Sequence, residues 1–491
     1  MKTTTLIIFL WAAIIVSSYS QSIVRFEDYF ENETMRIDYH HVGDAKSEIF
    51  SIDKIYQYGI WAGSTKNLID NFNNGKFYIK VYDAASNKLI FSKGFDSYFG
   101  EYQTSASASK GIKKAYHETA LIPFPKEKIK FSIEKRDAAN KLKEMFSADI
   151  DPKDVSIIRD RVIDKDVKVF KSVYNGDPQK KVDVAIIGEG YTENELGKFR
   201  ADLEKFSQIL FTQEPFQSNK SNFNIYGIYK PSEESGTDEP TANIFKNTVL
   251  NSTFNSLGSE RYLLTEDNKT LRDLAAHVPY DALFIMVNHK KYGGGGIYNW
   301  CCTFTTDNQW HRYLFLHEFG HSFAGLADEY YTSDTAYEEF YKPTVEPVEP
   351  NITALLDTAN LKWSKWLTKG IELPSYWEKK EFEEMDYKWQ NERRMLNNKI
   401  AELKRNRAPK LEIEEAEAEY NMKDKLHAEE VDRFLKKTKN YRKVGAFEGA
   451  GYLAKGLYRP MIDCIMFSKG DKPFCKVCEE AILRVIQFYS D

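Results

Sequence analysis

A preponderance of one charge is missing from this 491-residue chain: 68 basic residues stand against 73 acidic ones, a net charge of −5. A nucleic-acid partner would call for a basic domain, and this balance supplies none. It is also too slight to steer any other partner. Long apolar runs are scarce. The run from Leu6 to Val16 is too short for the roughly 20 residues of a membrane-spanning helix. Lys2 precedes it, and Ser18-Tyr19-Ser20 puts small residues before Gln21, the pattern of a removable export signal over residues 1–20. The expectation is an exported protein, periplasmic, cell-surface or secreted, with no stable membrane span. Cysteine is sparse too, with five residues at Cys301, Cys302, Cys464, Cys475 and Cys478. Cys475-Lys-Val-Cys478 has zinc-ribbon or redox spacing, but a four-cysteine site needs a second pair, and the vicinal Cys301-Cys302 has poor geometry for one. One or two structural disulfides, with a thiol left over, are expected of an exported chain. Aromatics, by contrast, are plentiful: 32 Phe, 30 Tyr and 8 Trp exclude a disordered chain.

Two regimes follow the signal. Residues 21–150 are strand-like: Phe77, Ile79 and Val81 alternate with polar or aromatic neighbours, as do Ile129, Phe131 and Ile133, and residues 82–88 read as a hairpin turn. This predicts an all-β sandwich whose job is to pack on its neighbour. Residues 151–491 mix strands and helices. Val182 to Ile187 reads as a buried strand, and a helical stretch runs from Glu193 to Phe211. Gly188-Glu189-Gly190 between them is no dinucleotide fingerprint, because Glu193 occupies the third glycine's place. Within this region, residues 376–442 form a charged insertion. Phe382, Met385, Trp389, Leu396 and Leu403 keep helical spacing, Arg407-Ala-Pro409 breaks it, and it resumes from Leu411 to Leu435. The expected form is a helical hairpin projecting as a solvated arm.

The chemistry lies in His317-Glu318-Phe319-Gly320-His321. Histidines four apart share a helix face, so both imidazoles reach one metal, and Glu318 can address water rather than the metal. Gly325 can end the helix, and Asp328-Glu329-Tyr330 follows at once. A carboxylate returning from beyond the helix end would complete a two-histidine, one-carboxylate zinc site with an open position. Asp328 is preferred over Glu329 as that ligand, with Glu338 and Glu339 as more distant choices. Tyr458 and Tyr330 are candidate oxyanion donors. The Gly293–Tyr298 segment is either an edge strand able to pair with an extended peptide or a plain glycine turn.

These residues resemble a known group. His317-Glu-Phe-Gly-His321-Ser-Phe-Ala-Gly325-Leu-Ala-Asp328-Glu329-Tyr330 is similar to the active-site signature of the bacterial IgA peptidase family of zinc metalloendopeptidases. Val182–Tyr191, Phe447–Gly451, Tyr458-Arg-Pro460 and the segments around Cys464-Ile-Met466 and Cys475–Cys478 resemble its other blocks. The resemblance covers about residues 180 to 491, and the preceding β domain fits the family's N-terminal module. It implies an α+β chain with a zincin-type catalytic domain, one catalytic zinc, His317 and His321 as ligands and Glu318 as acid/base. Met466 would form a methionine turn beneath the metal. Metzincin spacing is not kept, since Gly325 and Asp328 each fall one place late. The implied partner is a protein or peptide substrate, a host or dietary glycoprotein among the candidates; cleavage of immunoglobulin A itself is not implied. Two other readings stay open: a zinc amidase or exopeptidase on small substrates, and a zincin-scaffold glycan- or protein-binding surface protein.

Overall fold

The computed structural model describes residues 24–161, 163–332 and 341–490. The expected export signal, Glu338 and Glu339 lie outside the described residues. Among those described, no helix is long and apolar enough to cross a membrane. The fold is mixed α+β, with several sheets.

Seven strands come first: β1 (Phe30–Gly43), β2 (Glu48–Tyr58), β3 (Phe77–Asp83), β4 (Leu89–Phe95), β5 (Lys114–Pro125), β6 (Ile129–Arg136) and β7 (Leu142–Ile150). They form a three-stranded sheet, β2-β1-β5, and a four-stranded sheet, β4-β3-β6-β7, each antiparallel throughout. Period-two alternation decides which side chains meet. Phe77, Ile79 and Val81 of β3 and Ile129, Phe131 and Ile133 of β6 face Met35, Ile37, Ala120 and Ile122 in one shared core. The expected turn joins β3 to β4, with Asn87 at φ 55° and its N–H on the Asp83 carbonyl.

The second half is built on a six-stranded sheet. Its strands are β8 (Lys168–Val173), β9 (Val182–Glu189), β10 (Phe223–Tyr229), β11 (Ala282–Val287), β12 (Gly294–Ile297) and β13 (Cys301–Thr305), in the order β12-β13-β11-β9-β10-β8. The four central strands are parallel, and the edge strands β12 and β8 run antiparallel to their neighbours. All of β9 is buried, as a parallel strand covered on both faces must be. Val184 and Ile186 point to one face, against helices α1 (Leu196–Leu210) and α3 (His311–Ala324). Ala185 and Ile187 point to the other, against α2 (Asn268–Ala275). That second face is completed by Tyr98, Phe99 and Tyr116 from the N-terminal region, so the two regions share a hydrophobic core. Arg36 pairs with Asp273 of α2 at 2.6 Å across the same boundary.

Two long helices follow, α4 (Lys379–Arg405) and α5 (Lys410–Leu435), of 27 and 26 residues. Lys423 pairs with Glu392 and Lys399 with Glu419, so the helices run antiparallel. Strands β14 (Phe447–Ala450) and β15 (Leu453–Arg459) form a small hairpin, and α6 (Lys476–Ser490) closes the described chain against α3.

Residues 293–298 hold an edge strand, β12, rather than a plain turn. Its glycines let it lie directly on α3. A Cβ on Gly296 would stand 2.4 Å from the Glu318 carbonyl oxygen and 2.8 Å from His321 Cβ. Gly296→Ala is therefore expected to cost about 1–3 kcal/mol, as overpacking does. Gly197→Ala, in a helix with no atom beyond its neighbours and its own helix backbone within 4 Å of the added methyl, should be neutral or raise stability by about 0.5–1 kcal/mol. Denaturant titration of both variants checks the contrast.

Candidate metal centre

Helix α3 carries both histidines and then stops sharply. Gly325 sits at φ 60°, and the Leu326 N–H reaches back to the Gly320 carbonyl at 3.2 Å. Only a residue tolerant of left-handed backbone makes this stop cheaply. The turn carries the Leu326 carbonyl to His321 Nδ1 at 2.6 Å, while the Ile465 carbonyl lies 3.0 Å from His317 Nδ1. A carbonyl can only accept, so each Nδ1 carries the proton and each Nε2 is left with its lone pair.

Those lone pairs converge. His317 Nε2 and His321 Nε2 are 3.1 Å apart, and Asp328 Oδ1 lies 3.1 Å from the first and 3.2 Å from the second. Three acceptor atoms this close must share protons or a cation. With protons alone, burial pulls His321 down, but the Asp328 charge and hydrogen bond outweigh it and lift the imidazole to about 9. Burial likewise opposes ionisation of Asp328, yet the two histidines hold its carboxyl well below the ordinary range. A tetrahedral zinc with ligands at its usual 2.0–2.1 Å has donor separations of about 3.3 Å, so the three atoms fit that ion. The buried Asp328 Oδ1 faces the two Nε2 atoms.

The turn beyond the helix delivers Asp328. Ala327 is held at both backbone polar groups by the Asn351 side chain, at 2.8 and 2.9 Å. The Asp328 carbonyl accepts from Gly451 N–H at 2.9 Å, and its free carboxylate oxygen accepts from the Tyr452 hydroxyl. Neither Asn351 nor Tyr452 was singled out by the sequence. Tyr452 follows the quoted Phe447–Gly451 block and takes φ 65°, an outlier the sequence does not announce. Glu329 turns the opposite way and is buried beside Cys464, Cys475 and Cys478.

The other sequence candidates separate clearly. Glu318 lines the cleft in front of the histidines, with burial raising its carboxyl above the ordinary value. Tyr330 also lines it, its ring 6.3 Å from His317 and nearly parallel to it. Tyr458 lies on β15, its backbone paired with Thr353, and is not among the residues lining the cleft. Met466 is fully buried under α3, with its sulfur 3.0 Å from where a Cβ on Gly320 would stand. Its carbonyl accepts from Glu329 N–H at 2.8 Å.

Two walls flank the centre. One is β12, of which Gly294 to Ile297 line the cleft. The other is the helical hairpin, which departs from the expected solvated arm: Trp389 and Arg393 of α4 and Asp424 and His427 of α5 line the same cleft as His317, His321 and Asp328. Tertiary contacts hold it there. The Thr332 hydroxyl donates to Asp386, Lys469 reaches Asp424 at 3.0 Å, and the Trp310 indole donates to Asp424. The expected disulfides also differ from what is found, since all five cysteines are free and buried.

Family comparison supplies the class of protein. The profile described as IgA Peptidase M64 matches residues 170–486, and that described as Peptidase M64 N-terminus matches residues 25–147. The chain belongs to the M64 peptidase family, and that family makes it a metallopeptidase. No curated protein matches it.

The Tyr452 hydroxyl orients a donor group without contributing to the donor set. Outer partners of this kind typically change metal affinity by about 10- to 100-fold. Tyr452→Phe is expected to weaken metal binding on that scale at full stoichiometry, as read by competition with a chromogenic chelator.

Proposed function

We propose that this chain is an exported zinc-dependent endopeptidase, with residues 151–491 as a zincin-type catalytic domain and residues 21–150 as a β module packed upon it. The observation that carries the reading is the convergence of His317 Nε2, His321 Nε2 and Asp328 Oδ1, within 3.2 Å of one another, behind the cleft-facing Glu318. Zinc held by these three residues would supply Lewis-acid polarisation of the scissile carbonyl and acidify a water molecule.

The rest of the chemistry belongs to side chains of the chain. Glu318 is the general base: its carboxylate accepts the proton of the attacking water and later donates it to the departing amine nitrogen. Burial favours its protonated form, which suits the second of these roles. Tyr330, beside His317, is the preferred donor to the developing oxyanion. The edge strand β12 suits an extended peptide. Gly294 spends its N–H and C=O on Arg261 and Leu263, while Gly296, two residues on and facing the same side, borders the cleft. Backbone pairing there would hold a substrate main chain across the metal with little regard to sequence. Met466 supplies an apolar floor under the two histidines. This supports a protein or peptide substrate, glycoproteins included, over a small amide.

Glu318→Gln is the direct test. Zinc content should stay at the parent's level while hydrolysis of a complex protein mixture falls by about 10²- to 10⁴-fold. New internal peptide termini should appear with the parent alone. Release of terminal residues only would favour an exopeptidase or amidase. A zinc-loaded parent that cuts nothing would favour a binding scaffold. Undiminished cleavage by the variant would remove Glu318 from its role.

A further inference from the structure

Behind the metal centre lies a second group of donors that the proposed mechanism does not use. Glu329, Cys464, Cys475 and Cys478 bring one carboxylate oxygen and three sulfurs within 4.8 Å of one another. They come from three separate pieces of chain: the segment after α3, the turn containing Met466, and the start of α6. All four residues are buried, Glu329 at 0% exposure.

The distances discriminate between a bond and a shared ion. Cys464 Sγ and Cys478 Sγ are 3.9 Å apart, far beyond the roughly 2.05 Å of a disulfide. A tetrahedral zinc with sulfur at about 2.3 Å and oxygen at about 2.0 Å has edges of roughly 3.8 Å between sulfurs and roughly 3.5 Å between sulfur and oxygen. Glu329 Oε1 lies 3.3 Å from Cys478 Sγ and 4.0 Å from Cys475 Sγ, bracketing the second value. Cys475-Lys-Val-Cys478 has the two-residue spacing that lets both sulfurs of a helix start reach one ion.

The polar surroundings agree. Two backbone donors point at one sulfur: Cys475 N–H lies 3.2 Å from Cys464 Sγ and Met466 N–H 3.5 Å from it. Donors aimed at sulfur favour the thiolate. Glu329 Oε1 accepts from Asn351 at 3.1 Å, but Oε2 is buried with no hydrogen-bond partner. A buried carboxylate left so among sulfurs is costly unless a cation shares the space. Three thiolates and one carboxylate on one ion would carry four negative charges, and Arg459, fully buried, lies within electrostatic reach of Glu329 and Cys464. A thiolate-rich tetrahedral set selects zinc over magnesium or calcium.

We propose that Glu329, Cys464, Cys475 and Cys478 bind a second, structural zinc ion. Its four donors are buried, and its role is structural. It pins the segments that position the first site: Glu329 follows Asp328, and Cys464 precedes the Ile465 carbonyl that orients His317. The inference does not depend on the endopeptidase reading.

The test uses the full-length mature chain, prepared without chelators, beside a His317→Ala/His321→Ala variant that keeps every sulfur ligand. Elemental analysis should give two zinc ions per parent chain and one per variant chain. Grown in cobalt(II), the variant should show a thiolate-to-cobalt charge-transfer band in the near ultraviolet. Spectra of the cobalt parent guard against a variant that fails to fold, because the same band is expected there. A folded variant free of metal, a cobalt parent without the thiolate band, or a disulfide among Cys464, Cys475 and Cys478 in non-reduced peptide maps would each overturn the proposal.

Discussion

Two backbone carbonyls decide whether the histidines can act together. Leu326 and Ile465 each engage an imidazole Nδ1, and without them either ring could present its N–H to the other. The two carbonyls have different origins. That of Leu326 is nearly local, produced by the left-handed stop at Gly325. That of Ile465 comes from 148 residues away, on a turn pressed against Gly320. A helix carrying His317 and His321 in isolation would have the right spacing and the wrong tautomers. Tertiary packing makes the pair a donor set.

The same dependence on close approach runs through the rest of the second half. Gly296 admits the edge strand to α3 on one side, and Gly320 admits Met466 on another. The helix is thus gripped closely on two sides, by a strand's backbone at Gly296 and by the buried Met466 side chain at Gly320, which fixes its rotation about its own axis. Below it, the strict alternation of β9 sends Val184 and Ile186 to the α3 face and Ala185 and Ile187 to the opposite face. The hairpin of α4 and α5 adds a wall through polar contacts from Thr332 to Asp386 and from Lys469 to Asp424, two carboxylates on otherwise amphipathic helices.

Much of this was legible in the sequence wherever the deciding interactions were local. The helix over His317, its end at Gly325, the alternation of the N-terminal strands and the break at Pro409 all follow from neighbours within a few residues. The return of Asp328 toward the histidines was legible too, since the helix stops three residues before it. What escaped reading was set by distant partners. Asn351 and Tyr452 reach the Asp328 segment from remote parts of the chain, and neither has a local pattern to betray it. The hairpin looked like a solvated arm because its charges dominate its composition, while Trp389 and His427 find their partners only in three dimensions. Glu329 was weighed as a competitor of Asp328 for one metal. Adjacent residues in extended chain point to opposite sides, and this one turns toward the cysteines, whose missing fourth donor is a carboxylate.

The packing of Tyr98, Phe99 and Tyr116 onto the sheet that carries Ile285 and Val287 has a thermodynamic consequence. Neither half presents a finished surface to water where they meet, so opening one wets the apolar side chains of the other. Heat or denaturant acts on a single cooperative body at that seam, and the division visible along the chain marks a change of architecture without a matching division of stability.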